Sequence, residues 1–207
     1  MAVNRMFRTC PSRGLLFHEP AEKLMRWNAV AAVVFLLVGG LLAIGVVLTR
    51  WQAVHLLPAD KFYQVLTAHG INMLIFWIIF FEIAVLYFAA STLLKARLAT
   101  PKMAWAGFWL MILGALMNNY SVLRGDSSVM FISYAPMGAH PTFYLGLILF
   151  AVGALIGCFV FLGTLVVARA ERTYRNSVPL VTFGAVTAAI IAVFTIASGA
   201  IILIPTF

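Results

Sequence analysis

The sequence has few charged residues and very few acidic ones. Charged side chains make up 10% of the 207 residues, and only 6 residues are Asp or Glu, whereas a soluble domain is about one quarter charged. Hydrophobic residues make up 64% of the chain, which excludes the soluble globular classes. The two cysteines, Cys10 and Cys158, lie near the N-terminus and inside an apolar run, so the sequence indicates no disulfide framework. The composition predicts an integral membrane protein.

Five apolar stretches are long enough to cross a bilayer as helices, which requires about 20 residues. They cover residues 27–48, 62–94, 103–123, 141–168 and 178–205. We therefore predict an all-α integral membrane fold with two regions. Residues 1–26 form a basic cytoplasmic tail, and residues 27–207 form a five-helix transmembrane domain in the lipid bilayer. Within the tail, the stretch LLFHEPAEKLMRW favours a short interfacial helix.

The basic residues are distributed unevenly between the two sides of this predicted domain. Of the 14 Lys and Arg residues, most fall in the tail and in the loops after the second and fourth spans. By the positive-inside rule, the N-terminus is cytoplasmic and the C-terminus lies outside the cell membrane. This asymmetry explains the net charge of +8 without a nucleic-acid partner. The inner residues are Arg5, Arg8, Arg13, Lys23, Arg26, Lys95, Arg97, Lys102, Arg169, Arg172 and Arg175; the outer ones are Arg50, Lys61 and Arg124.

One histidine lies just inside the outer end of the second span, where it is costly without a partner. This histidine, His69, is followed by Gly70, and a small residue there lets a flat macrocycle approach the helix. On an α-helix, Asn72, Met73 and Phe76 lie on the side of His69. Neutral imidazole is a good ligand of haem iron. The pattern fits a haem-facing surface, and it also fits a histidine that donates a hydrogen bond to a neighbouring helix.

The same span contains a carboxylate, Glu82, 13 residues after His69. That separation corresponds to about 20 Å along an α-helix and about 140° around it, so Glu82 is expected to face a different neighbour. Two interpretations remain open: a proton relay, and a protonated or paired carboxyl that stabilises helix packing. Asn118 and Asn119, near the outer end of the third span, are expected to satisfy loop carbonyls.

The segment around His69 resembles the second helix of subunit I of the haem-copper oxygen reductases, the cytochrome c oxidase type. In that family a Thr-x-His-Gly segment supplies an axial ligand to the low-spin haem, and the matching residues here are Thr67, His69 and Gly70. The segment FISYAPMGAHPTFYLG, residues 131–146, resembles the approach to the family's fourth helix. Many members have two adjacent prolines after the tyrosine, where this chain has Ala-Pro. The matching residues of this segment are Tyr134, Pro136, His140, Tyr144, Leu145 and Gly146.

The resemblance is closest to the B-type branch and covers roughly residues 27–207, which correspond to the first five helices. It implies that His69 binds the iron of a low-spin haem in a respiratory electron-transport complex that reduces oxygen. In the family, the copper ligands, the high-spin haem ligand and the second low-spin haem ligand lie on later helices. A second chain is therefore expected to carry those helices, with the copper and the second haem. The electron-entry copper centre is expected in a protein like subunit II.

Three interpretations of this five-helix chain are open. It is the N-terminal half of a split subunit I, which we favour because His69 and its small neighbour are intact. Alternatively, it is a degenerate relative that serves as a structural or haem-binding subunit of another membrane complex. The third is a copper or zinc site without haem, formed by His55, His69 and His140 at the outer side.

Overall fold

The computed structural model describes residues 6–129 and 138–206, apart from the side chains of residues 200, 203, 205 and 206. Five helices in this part of the chain are long and apolar enough to cross a membrane, which confirms the predicted all-α membrane architecture. A short hairpin of two strands precedes them. In chain order, the elements are β1 (Phe7–Thr9), β2 (Leu16–His18), α1 (Glu19–Arg50), α2 (Ala59–Thr92), α3 (Pro101–Leu123), α4 (Pro141–Ala170) and α5 (Leu180–Thr206).

Helix α1 begins well before the predicted start of the first span. Pro20 occupies its first turn together with Glu19 and Glu22, and both residue types favour a helix N-terminus. The predicted short interfacial helix is therefore not a separate element. Residues 16–18 of that stretch form strand β2, and the residues after them belong to α1.

The N-terminal hairpin contacts the loop after α2, which in turn contacts the loop after α4. The buried ring of His18 accepts a hydrogen bond at Nδ1 from the backbone N–H of Leu98, at 3.3 Å. Burial lowers the pKa of His18 and the charge of Arg97 lowers it further, so the ring is neutral and can accept this bond. Arg97 in turn pairs with Glu171 at 2.7 Å. The tail and the loops after α2 and α4 therefore share one end, as the charge pattern requires.

Helices α3 and α4 are in backbone contact through glycines. A Cβ atom added to Gly107 would lie 2.9 Å from the carbonyl oxygen of Gly153, and one added to Gly114 would lie 2.6 Å from the backbone nitrogen of Phe150 and against the carbonyl of Gly146. Small residues at helix contacts are the usual means by which membrane helices approach closely. This contact sets the close separation of α3 and α4.

An aromatic cluster in the middle of the bundle fixes α2 against three other helices. Phe76 of α2 lies 4.8 Å from Phe150 of α4, between ring centroids. Phe80 of α2 stacks on Phe35 of α1 at 5.5 Å and meets Phe108 of α3 at 6.0 Å. Because this cluster follows directly along α2 from His69, it limits movement of the helix that carries the histidine.

Candidate functional site around His69

The ring of His69 is oriented by a backbone carbonyl of a neighbouring helix. Its Nδ1 lies 2.9 Å from the carbonyl oxygen of Gly39 in α1. A carbonyl oxygen only accepts hydrogen bonds, so Nδ1 carries the proton and Nε2 keeps its lone pair. Metal-binding histidines commonly have this arrangement, in which the second nitrogen fixes both the tautomer and the ring orientation. The side chain is only partly buried, so the residue remains accessible from outside this chain.

Gly39 is a site residue that the sequence interpretation missed. A Cβ atom at this position would lie 2.7 Å from both Cγ and Sδ of Met73, so the missing side chain makes room for α2. The neighbouring Gly40 has nothing within 4 Å of such an atom. The pair of glycines in an apolar helix was a visible signal. Only the fold shows that Gly39, and not Gly40, faces α2.

The predicted shared face of α2 is divided by a π-helical turn. Over Asn72–Phe76 the backbone N–H of Trp77 bonds to the carbonyl of Asn72, five residues earlier. The extra residue in this turn rotates everything beyond it by about 100° relative to an α-helix. Before and within this turn, His69 and Met73 are partly exposed, whereas Gly70, Asn72 and Phe76 are buried among the chain's own helices.

Asn72 forms a reciprocal amide pair with Asn119 of α3. Its Nδ2 donates to Asn119 Oδ1 at 2.7 Å, and Asn119 Nδ2 donates back to Asn72 Oδ1 at 3.3 Å. The expectation that Asn118 and Asn119 satisfy loop carbonyls was therefore wrong, since each amide also donates to a carbonyl of its own helix. Interhelical amide bonds in a bilayer contribute about 1 kcal/mol each. This pair ties α2 to α3 one helical turn from His69.

Glu82 lies in a different environment from His69. It lines a groove of about 370 Å³ between α2, α4 and α5, together with Cys158 and Thr195. No described side chain forms a hydrogen bond or ion pair with its carboxylate. A second groove of about 300 Å³ shares Ile79 with the first and extends along α2 to Ile75. Glu82 thus faces α4 and α5, whereas His69 contacts α1.

The structure does not bring His55, His69 and His140 together as a metal site. His140 caps the N-terminus of α4, where its Nδ1 accepts from the backbone N–H of Thr142 at 3.3 Å. His55 is exposed in the loop after α1 with a positive φ of 43°. Within residues 6–129 and 138–206, no three His, Cys, Asp or Glu side chains are grouped to hold a metal ion. Tyr134 and Pro136 of the second motif lie outside the described residues.

Known proteins resemble the chain over most of its length. The sequence model of the family described as Cytochrome C and Quinol oxidase polypeptide I matches residues 23–207. Cytochrome c oxidase subunit 1 of Thermus thermophilus is 29% identical over 136 residues, which are 64% of this chain and 23% of the relative. Cytochrome c oxidase subunit 1 of Bacillus subtilis is 28% identical over 182 residues, which are 84% of this chain and 29% of the relative.

Two further matches agree with these. The heme-copper oxidase subunit I+III of Aeropyrum pernix is 27% identical over 169 residues, which are 74% of this chain and 20% of the relative. A cryo-EM structure of a heme-copper terminal oxidase dimer superposes with a TM-score of 0.77 at 23% identity, covering 89% of this chain and 32% of that one. The structural likeness shows the fold. The chain spans between 20% and 29% of the length of these sequence relatives.

Proposed function

We propose a function for this chain from the premise that it belongs to the Cytochrome C and Quinol oxidase polypeptide I family, whose sequence model matches residues 23–207. In this proposal, the chain supplies the first five helices of a terminal oxidase subunit I, and His69 is one axial ligand of a low-spin haem. The observation that carries the proposal is the 2.9 Å contact between His69 Nδ1 and the Gly39 carbonyl oxygen. It leaves at Nε2 the neutral imidazole lone pair that haem iron requires. When bound, the haem supplies one-electron transfer.

The other predicted site residues position His69 from inside the bundle. Asn72 fixes the separation of α2 and α3 through Asn119. Phe76 anchors α2 in the aromatic cluster, and Met73 packs on Gly39. Gly70, next to His69, has no side chain that would obstruct the approach of the haem macrocycle to the helix. In this proposal only His69 bonds to the iron, and replacing it in the complex tests the assignment through the spectrum of the low-spin haem.

A substitution at Gly39 is expected to lower the haem content of the complex. The new methyl group of Gly39→Ala overlaps the flexible end of Met73, which can yield, so the helices should still form. The methyl group would also lie 3.2 Å from Cβ of Asn72, which cannot move independently of the α2 backbone, so α1 and α2 must separate slightly, which weakens the bond that orients His69. Loss of such a supporting contact typically lowers metal-site affinity about 10- to 100-fold. Haem per complex, measured by pyridine haemochromogen assay after dilution, should fall accordingly.

Gly40→Ala is the matched control for this change. It adds the same atom one residue away, in the same helix, where nothing lies within 4 Å. It should retain the haem. Equal haem retention in the two variants would contradict the role assigned to Gly39.

The remaining helices of subunit I belong, in this proposal, to a second chain that also carries the copper and the second haem. Electron entry belongs to a protein like subunit II, and oxygen is the terminal acceptor. The relatives are oxidase subunits, which supports an oxidase, and the chain spans between 20% and 29% of their lengths. Purification from native membranes should yield the second chain with this one. The alternative, a degenerate structural subunit, is favoured if the purified complex has no haem that depends on His69.

The orientation in the membrane follows from the charge at the two ends of the bundle. The end that carries the N-terminal hairpin also carries Arg97, Arg169 and Arg172, and positive loops remain in the cytoplasm. A reporter that matures only outside the cell membrane is expected to be active when it is fused after Phe207. A cytoplasmic signal from that position would invert the topology and place His69 near the inner face.

Glu82 is proposed as a proton relay that is separate from the haem site. Its groove between α2, α4 and α5 contains no described partner for the carboxylate, and a carboxyl group that lacks an ion pair can take up and release a proton. Its position away from the α1 side of α2 predicts that it affects turnover and not the haem spectrum.

A further inference from the structure

A further groove lies at the end of the bundle that carries the N-terminus. It has a volume of about 280 Å³ and is formed where α2 and α4 end and α5 begins. Its wall is apolar and includes Leu94, Leu165 and Val186, and its rim is polar with Arg169, Tyr174 and Asn176. The groove therefore combines a hydrocarbon surface with a cation and two neutral polar side chains at the level where membrane helices leave the bilayer.

Three hydrogen bonds between separate segments hold the rim in place. Thr173 Oγ1 donates to the carbonyl of Leu94 at 2.7 Å, which ties the loop after α4 to the end of α2. Thr182 Oγ1 donates to the carbonyl of Ala89 at 2.8 Å, which ties the start of α5 to α2. The ion pair of Arg97 with Glu171 joins the same two loops. The groove is thus formed by the fold itself and needs no ligand to assemble it.

The charge of the rim is not neutralised by the described part of the chain. The carboxylate of Glu171 is already paired with Arg97. No described carboxylate forms an ion pair with Arg169, Arg172 or Arg175. A guanidinium group binds phosphate through two parallel hydrogen bonds and is well suited to interfacial sites. The rim therefore favours an anionic group, and the apolar wall favours an attached hydrocarbon chain.

We propose that this groove binds an anionic phospholipid of the surrounding bilayer. The acyl chain lies along Leu94, Leu165 and Val186, and the phosphate lies at Arg169. Tyr174 packs against the small apolar cluster at this end of the bundle, which places an amphipathic ring where one side is apolar and the other is wet. A free phosphate ion would not use the apolar wall, and a zwitterionic lipid such as phosphatidylcholine would bring its quaternary ammonium group close to the unpaired arginines, which repel it.

Native mass spectrometry of the purified complex tests this proposal. The complex is delipidated and then titrated with palmitoyl-oleoyl phosphatidylglycerol or with the phosphatidylcholine of the same chains. Phosphatidylglycerol is expected to bind more tightly, and Arg169→Gln should weaken it about fivefold, because one arginine near a membrane surface contributes roughly that factor. Arg50→Gln, which removes a cation at the opposite end of the bundle, should leave binding unchanged. Val186→Trp fills the wall and should lower the binding of both lipids.

Three outcomes would overturn the proposal. The first is equal binding of the two lipids together with no effect of Arg169→Gln. The second is displacement of bound phosphatidylglycerol by millimolar inorganic phosphate, which would indicate a free-phosphate site. The third is a photo-crosslinker at position 174 that labels a polypeptide and no lipid, which would indicate a protein partner. If Val186→Trp fails to assemble, the lipid preference and its response to Arg169→Gln decide the question alone.

Discussion

Replacing His69 with alanine in the assembled complex is expected to abolish the optical bands of the low-spin haem. The change removes the imidazole whose Nδ1 bond to the Gly39 carbonyl, at 2.9 Å, leaves Nε2 for the iron. A six-coordinate low-spin iron needs both axial ligands, and no cluster of metal-binding side chains in the described part of this chain can replace the missing one. Reduced-minus-oxidised difference spectra, normalised to the amount of complex, measure the loss.

Addition of free imidazole to the His69→Ala complex separates loss of a ligand from loss of structure. Imidazole should restore low-spin bands if only the ligand is missing. His55→Asn is the matched control, because His55 lies in the loop before α2 but is exposed, and asparagine tolerates its positive φ. This control should retain the full spectrum. An unchanged spectrum in the His69→Ala complex would refute the ligand assignment and favour the degenerate-subunit interpretation.

Glu82→Gln is a second control, in which we expect turnover to change and the haem spectrum to stay the same. It keeps the size and polarity of the side chain but cannot release a proton. The haem spectrum should remain unchanged, because Glu82 faces α4 and α5, and turnover should be slower. Full turnover in this variant would contradict the proton-relay role and leave helix packing as the role of the carboxyl group.

The second large effect is expected at the contact of α3 with α4. The added methyl group of Gly114→Ala would lie 2.6 Å from the backbone nitrogen of Phe150, and neither backbone can yield without separating the helices. Overpacking of this kind costs about 1–3 kcal/mol or more. The thermal unfolding temperature of the purified complex should fall, and less complex should accumulate in membranes.

Gly184→Ala is the control for helix propensity. It makes the same change on α5, where nothing lies within 4 Å of the new atom. Since alanine is a better helix former than glycine by about 1 kcal/mol, this variant should be as stable as the original or slightly more so. Equal destabilisation by Gly114→Ala and Gly184→Ala would show that α3 and α4 do not meet through these glycines.

The five spans could be predicted from the sequence because each membrane helix appears as one continuous run of about 20 apolar residues. The start of α1 was misplaced for the same reason. Hydropathy marks where the apolar run begins at Trp27, whereas the helix begins at Glu19, because Pro20 and the acidic first turn favour a helix start there. A helix that extends beyond the hydrocarbon region leaves no signal in an apolar window.

The site could be predicted only in part, because the partners of His69 and Asn72 are distant from them in the sequence. His69 stands out as a polar residue in an apolar span. Its partner Gly39 is 30 residues away, and the Asn72–Asn119 pair joins residues 47 apart. The π-helical turn at Asn72–Phe76 could not be predicted from the apolar sequence around it, yet it changes the helical phase of the residues beyond it.

The most direct test of the account is a structure of the purified complex with its haem groups bound. We expect the iron of one haem to be bonded to Nε2 of His69, Nδ1 to remain hydrogen-bonded to the Gly39 carbonyl, and the second axial ligand to come from a residue outside this chain. A structure in which no haem contacts His69, or in which both axial ligands come from this chain, would contradict this expectation.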